Sequence, residues 1–164
     1  MKIVDLVGKL PTHPTKKYPL RSTSEIDTLA IHHSMTDDLP GDKDVYGFAR
    51  YHITHNDWPG IGYTYVIDAD GIIYKCHTAT KKTYHVGRHN RRSLGICLVG
   101  DFRDYDIEYD QYKALEELVV TCMGAYSIDI DRVLGHSELK GYNWKKCPNI
   151  NMEKFRKDVM KARG

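Results

Sequence analysis

Histidines at two places in this chain, together with one cysteine, are residue types that form hydrolytic metal sites. His32 and His33 end one short apolar run, and His136 follows another. Cys147 lies 11 residues after His136 in the polar loop LGHSELKGYNWKKCPN, where core burial does not account for a thiol. Imidazole and thiolate are ligands that zinc prefers, and hydrolytic zinc sites use three protein ligands and keep a fourth position for water.

The residues alone leave the role of Cys147 open. The chain has four cysteines, at positions 76, 97, 122 and 147. Two disulfides are conceivable, but a chain of this size without a secretory signal favours free thiols or metal ligation. Cys147 and His136 could instead form a thiol hydrolase pair. Spacing is weak evidence here, because the regular ligand spacing of a structural zinc finger is absent.

Length and composition describe one ordinary globular domain. The chain has 164 residues, of which 41% are hydrophobic and 28% charged, with a net charge of +2. This charge is too small to predict nucleic-acid binding. No apolar run approaches the roughly 18 residues of a membrane span, and the N-terminus lacks the apolar region of a signal peptide. We expect a single domain over residues 1–164, monomeric, without nucleic-acid or membrane partners, and cytoplasmic in the producing host.

Strand and helix patterns alternate along the chain, which predicts an α/β (α+β) fold. Residues 1–27 contain three prolines and are expected to form an irregular segment that wraps the core. Short apolar runs predict strands at 28–32, 63–67, 72–75, 93–99 and 133–134, with a hairpin turn at Asp70-Gly71. Helical periodicity predicts helices at 44–56, 109–126 and about 151–162. The expected architecture is a central, mostly β-sheet of about five to six strands flanked by helices.

Four sequence blocks carry a resemblance to a known family. In order they are AIHHS, YHITHNDWPGIGYTYVIDADG, HVGRHNRRSLGICLVGDF and GHSELKGYNWKKCPN. They resemble the zinc amidases of phage-lysozyme type, which share a superfamily with animal peptidoglycan recognition proteins. The resemblance covers about residues 28–160 and implies that superfamily's fold. It also implies one Zn²⁺ per chain, and hydrolysis of the amide between N-acetylmuramic acid and L-alanine in bacterial peptidoglycan.

The same resemblance implies roles for individual residues. The family's zinc ligands correspond to His32, His136 and Cys147. Tyr63 matches a family tyrosine that orients water or transfers a proton, and Lys145 matches the position that stabilises the oxyanion. Some relatives carry a glutamate in the central strand where this chain has a cysteine, so Tyr63 and Lys145 bear more of the mechanism. Candidate substrate contacts, each with packing or loop structure as the competing role, are Trp58, His85 and Asn90.

Several neighbouring residues remain undecided at this level. Alternation along a strand puts His32 and His33 on opposite sides, so only one can face the metal. The roles of His33, His52, Glu138 and Trp144 stay open. The segment from Ser137 to Lys140 matches the S-x-x-K motif of serine acylases, but without its companion motifs we interpret it as coincidence.

The leading functional hypothesis is a zinc amidase that serves as a phage or prophage endolysin and acts on the wall after release. A cell-wall recycling amidase is the competing context. The alternative from another class is a non-catalytic peptidoglycan-binding recognition module. Relatives that have lost catalysis typically lack the cysteine ligand, so the presence of Cys147 disfavours it. A third class is an inhibitory protein that binds a partner protein, and nothing in the sequence favours or disfavours it.

Overall fold

The computed structural model describes all 164 residues. The strands are β1 (Lys2–Asp5), β2 (Thr28–His33), β3 (Tyr65–Ile67), β4 (Ile72–Lys75), β5 (Ser93–Leu98) and β6 (Val133–Gly135). The helices are α1 (Lys43–Asn56), α2 (Tyr109–Tyr126) and α3 (Met152–Arg163). Short 3-10 turns lie at Thr23–Glu25, Ile130–Arg132 and His136–Glu138. No helix combines the length and the apolar character needed to cross a membrane.

The six strands form one mixed sheet in the order β1-β4-β3-β5-β2-β6. The β3–β4 hairpin is antiparallel, as the Asp70-Gly71 turn predicts, and every other pair is parallel. All six residues of β2 and all six of β5 are buried. Parallel strands covered on both faces have continuous apolar runs of this kind. The predicted α/β architecture is therefore confirmed.

Helices cover both faces of the sheet. On one face α2 and α3 enclose the larger hydrophobic cluster, in which Ile96 and Leu98 of β5 meet Phe155 of α3. On the other face α1 contributes Val45 and Ala49 to a second cluster that contains Cys97 and Val99. Successive strand residues point to opposite faces, which explains why neighbours on β5 belong to different clusters. His32 of β2, paired with Cys97, thus lies on the α1 side of the sheet.

The N-terminal segment differs from the prediction at its start. The irregular structure expected for residues 1–27 is wrong for Lys2–Asp5, which form an edge strand paired in parallel with β4. All four residues are exposed, so they carry no apolar alternation that sequence reasoning could detect, and their partner strand lies far along the chain.

The rest of this segment is tied to the body by polar contacts. The Tyr18 hydroxyl donates to the carbonyl of Gly60 at 2.8 Å. The buried Arg21 guanidinium donates to four backbone carbonyls, those of Ala79, Asn90, Arg91 and Ser93, at 2.7–3.0 Å. Arg21 therefore braces the loop that leads into β5.

Candidate metal centre and catalytic cleft

Three separate elements bring His32, His136 and Cys147 together. His32 lies near the carboxyl end of β2, and His136 begins the 3-10 turn directly after the adjacent parallel strand β6. Parallel neighbours end at the same edge of the sheet, which places the two imidazoles side by side. The loop carrying Cys147 returns to this edge, where the Ser137 N–H donates to the Cys147 carbonyl at 2.9 Å. All three side chains are buried.

The donor atoms of these residues are spaced closely enough to share one ion. Nδ1 of His32 lies 3.1 Å from Nδ1 of His136 and 4.0 Å from Sγ of Cys147. All three donor atoms lie within 4.8 Å of one another. Tetrahedral zinc, with bonds of about 2.0–2.3 Å, places its ligand atoms roughly 3.3–3.6 Å apart. The donor set and its spacing fit zinc with only small side-chain adjustments.

Burial keeps the cluster uncharged in the metal-free protein. It lowers the pKa of His136 to about 4 and lowers that of His32 well below its ordinary value. Burial also raises the pKa of the Cys147 thiol to about 11, although the His33 N–H and the nearby Lys145 oppose this shift. At neutral pH the site thus holds two neutral imidazoles and a thiol, and a metal cation must displace the thiol proton.

His33 faces away from this cluster, as strand alternation predicts. Its ring stacks on Phe102 with centroids 5.7 Å apart, and its Nδ1 accepts the Phe102 N–H at 3.2 Å. Only its backbone reaches the cluster, through an N–H donated to Sγ of Cys147 at 3.3 Å. The side chain of His33 therefore packs against Phe102, while its backbone N–H can stabilise a thiolate at Cys147.

The cluster forms part of the wall of a cleft of about 510 Å³, which is also lined by Trp58, Tyr63, His85, Trp144 and Lys145. A second depression of about 730 Å³ runs along α1 and shares Ser34, His52 and Tyr63 with the first. Both volumes lie within the range of small-molecule and cofactor sites. Together they form a groove that leads from the cluster along α1.

Tyr63 lies beside the cluster in the turn that precedes β3. Its ring centroid is 5.3 Å from that of His32. Burial, and then the neighbouring thiols of Cys97 and Cys147, raise its pKa well above the ordinary value. The hydroxyl therefore keeps its proton at neutral pH and can orient a water or donate to a substrate oxygen.

Lys145 and Trp144 lie at the mouth of the cleft. Trp144 is 70% exposed, and its indole N–H donates to the Gly141 carbonyl at 3.1 Å. The Lys145 ammonium lies 4.8 Å from the centroid of the Trp144 ring, within the range of a cation–π interaction. This contact places a cation at the mouth of the cleft, beside the cluster.

The three predicted substrate contacts have different surroundings. Trp58 is partly buried, lines the cleft and packs 4.9 Å from the ring of His52. His85 lines the cleft too, but both of its ring nitrogens face protein groups, Nε2 of His32 at 3.0 Å and the Ser93 hydroxyl at 3.1 Å. Asn90 does not line the cleft. Substrate contact by these residues stays a prediction.

Asn90 instead fixes the loop that carries His85. Its side-chain oxygen accepts the N–H groups of His85 at 3.0 Å and of Val86 at 2.8 Å. Sequence reasoning named both residues but missed the contact between His85 and His32, and it gave Ser93 no role beyond the start of a predicted strand. The segment HVGRHNRRS shows suitable residue types, yet only the folded loop shows that they form a chain of contacts.

The chain is similar to known proteins over most of its length. The family model described as N-acetylmuramoyl-L-alanine amidase matches residues 22–150. Peptidoglycan-recognition protein LB of Drosophila melanogaster is 28% identical over 122 residues, which cover 73% of this chain and 49% of the relative. The endolysin of Escherichia phage T7 is 27% identical over 103 residues, which cover 60% of this chain and 65% of the relative. The chain thus spans about half to two thirds of these relatives.

The fold extends over the full length of a solved structure. N-acetylmuramoyl-L-alanine amidase LysC from Clostridium intestinale URNW has a TM-score of 0.76 and 22% sequence identity, with 98% of each chain covered. At this identity the likeness concerns the arrangement of the backbone. It agrees with the fold expected from the four sequence blocks.

Proposed function

This chain belongs to the N-acetylmuramoyl-L-alanine amidase family, and from that premise we propose that it is a zinc-dependent peptidoglycan amidase. Its substrate would be the amide between the lactyl group of N-acetylmuramic acid and the L-alanine of the stem peptide. The observation that carries the proposal is the buried cluster of His32, His136 and Cys147 in the wall of an open cleft. This cluster combines a hydrolytic donor set with access for a substrate.

The proposed mechanism divides the work among the cleft residues. His32, His136 and Cys147 would hold one Zn²⁺, which when bound supplies a Lewis acid and lowers the pKa of water to about 7. The protonated Tyr63 hydroxyl would orient the attacking water and the scissile carbonyl. Lys145, restrained by Trp144, would donate to the oxyanion of the tetrahedral intermediate, a contribution of about 3–4 kcal/mol in comparable sites. The proton lost by the attacking water would pass to the alanine nitrogen as the C–N bond breaks, so that the amine leaves neutral and the lactyl carbonyl becomes a carboxylic acid.

The proposal is tested with purified peptidoglycan. Zinc-loaded protein should release new amino-terminal alanine, which end-group labelling detects, and chelated protein should not until zinc is restored. His136→Ala should abolish both zinc binding and release. His55→Ala is the matched control, because His55 is an exposed histidine of α1 outside the cleft. Muropeptide binding without any release by the zinc-loaded protein would refute the enzyme and support the recognition module.

We also propose the biological setting of a phage or prophage endolysin. In this setting the chain would be monomeric, cytoplasmic in the producing host, and would act on the wall after release. The phage endolysin among its relatives supports this choice over wall recycling. Loss of turbidity in suspensions of permeabilised bacteria should follow addition of the protein. Activity confined to soluble muropeptides, with intact walls left uncut, would favour recycling.

A further inference from the structure

The contacts behind His32 form a continuous chain of polar groups. Nε2 of His32 lies 3.0 Å from Nδ1 of His85. Nε2 of His85 lies 3.1 Å from the Ser93 hydroxyl. That hydroxyl in turn lies 2.7 Å from the backbone carbonyl of His89. The chain thus begins at a metal-ligand candidate and ends at a group that can only accept a hydrogen bond.

The direction of every hydrogen bond in this series follows from its last member, the His89 carbonyl. A carbonyl has no proton to give, so the Ser93 hydroxyl is the donor at 2.7 Å. Its single proton is then committed, and Ser93 must accept from Nε2–H of His85. A neutral imidazole carries one N–H, so Nδ1 of His85 is an acceptor. His32 therefore donates its Nε2–H to His85, and its own Nδ1 is left unprotonated, so that in the metal-free protein it accepts the Nδ1–H of His136 at 3.1 Å.

This unprotonated nitrogen points into the metal cluster. Nδ1 of His32 is the atom 3.1 Å from Nδ1 of His136 and 4.0 Å from Sγ of Cys147. If every hydrogen bond in this series ran the opposite way, this nitrogen would carry a proton and could not act as a ligand. That direction would also set the lone pairs of Ser93 and the His89 carbonyl against each other at 2.7 Å.

The loop that carries His85 is built to hold the ring in this position. Asn90 accepts the backbone N–H of His85, and Arg21 donates to the carbonyls of Asn90 and Ser93. The ring lies directly against β5 at Gly95, where an added Cβ would be only 2.8 Å from the Cγ and Nδ1 atoms of His85. The ring thus has no room to approach β5 further.

We propose that His85 is a positioning residue that, with Ser93, holds His32 in the tautomer that can bind zinc. This inference rests on the proposed zinc site and adds a specific role for two residues outside the ligand set. A hydrogen-bonded partner behind a ligating histidine fixes its tautomer and orientation, and its loss typically costs 10–100-fold in metal affinity.

The first test observes the tautomers in the metal-free protein. Long-range ¹H–¹⁵N spectra of the histidine rings should show protonated Nε2 and unprotonated Nδ1 for both His32 and His85. A proton on Nδ1 of His85 would reverse the chain and overturn the proposal. Because no zinc is present, this result is independent of whether the protein is an amidase.

The second test measures zinc affinity by competition with a chromophoric chelator. His85→Phe should weaken zinc binding about 10–100-fold and change the visible spectrum of the cobalt-substituted protein. His85→Asn places an oxygen acceptor close to the position of Nδ1 and should recover most of the affinity. His55→Phe is the matched control, because His55 is an exposed histidine of α1 outside the cleft. Its zinc affinity should stay within about twofold of the wild type.

A double-mutant cycle separates positioning from general packing. Ser93→Ala should weaken zinc binding in the wild type, because the His85 ring is then free to take the other tautomer. The same substitution should have no effect beside His85→Asn, because the asparagine oxygen can only accept. Equal losses in both backgrounds would show a merely structural role and overturn the proposal. Failure of the wild type itself to bind zinc would refute the proposed function instead.

Discussion

Zinc binding should release about one proton from the protein at slightly acid pH, because zinc binds the thiolate and not the thiol. The perturbation is the addition of zinc to metal-free protein between about pH 5.5 and 6.5. Burial holds the pKa of Cys147 at about 11, so at pH 6 only about one thiol in 10⁵ is ionised. Each binding event must therefore displace that proton.

The two histidines should contribute almost nothing to this count. The pKa of His136 is lowered to about 4, so about one ring in a hundred is protonated at pH 6. The pKa of His32 lies well below its ordinary value. With one proton displaced, the apparent zinc affinity should rise about tenfold per pH unit. The measurements are made below pH 7, because near and above that pH the ionisation of zinc-bound water would release a second proton.

Isothermal titration calorimetry in buffers of different ionisation enthalpy counts the released protons directly. Cys147→Ser should bind zinc more weakly and release close to none. Cys122→Ala, which removes a buried thiol from the core beneath α2, should leave the count at one. A wild-type count of zero, with affinity independent of pH, would refute the argument. It would mean that the cluster holds a preformed thiolate or that Cys147 does not bind the metal.

Three further outcomes are expected. Lys145→Ala should lower kcat about 10²–10³-fold with zinc affinity unchanged, and an equal loss of metal would contradict its role as an oxyanion donor. His77, which does not line the cleft, donates to the Ile61 carbonyl, and burial lowers its pKa to about 4. The neutral ring therefore stabilises the fold fully above about pH 6.5, and this contribution is lost as the pH falls towards 4. Metal-free wild type should therefore lose about 3 kcal/mol more unfolding free energy from pH 7 to 4 than His77→Gln, and equal urea midpoint shifts would contradict this. Phe155→Ala, at a fully buried position, should cost about 3–5 kcal/mol, whereas Met160→Ala on the exposed side of the same helix should change the urea midpoint little.

The elements that depend on local pattern were predictable from the sequence. The helix predicted at 109–126 has the observed bounds of α2, because its apolar residues recur over many turns and face one cluster. Strand β1 was not predictable, since its exposed residues gain their structure from an edge pairing with distant β4. Local sequence contains no information about such a partner.

The candidate site shows the same division. Alternation along β2 separates His32 from His33, and the family resemblance selects His32, His136 and Cys147, which the fold brings together. The contact between His85 and His32 could not be anticipated, because it depends on how Asn90 and Arg21 fold the intervening loop. Long-range geometry of this kind is set by tertiary contacts and not by residue spacing.

The brace formed by Arg21 has a consequence for transferring this domain into another protein. The family match begins at residue 22, immediately after the guanidinium that binds the carbonyls around Asn90 and Ser93. A domain transferred from residue 22 onwards would keep every side chain that lines the cleft but would lose the Arg21 brace. We expect such a chimera to bind zinc more weakly than the whole domain despite an intact set of candidate ligands, and this result would place the functional boundary of the domain upstream of the family match.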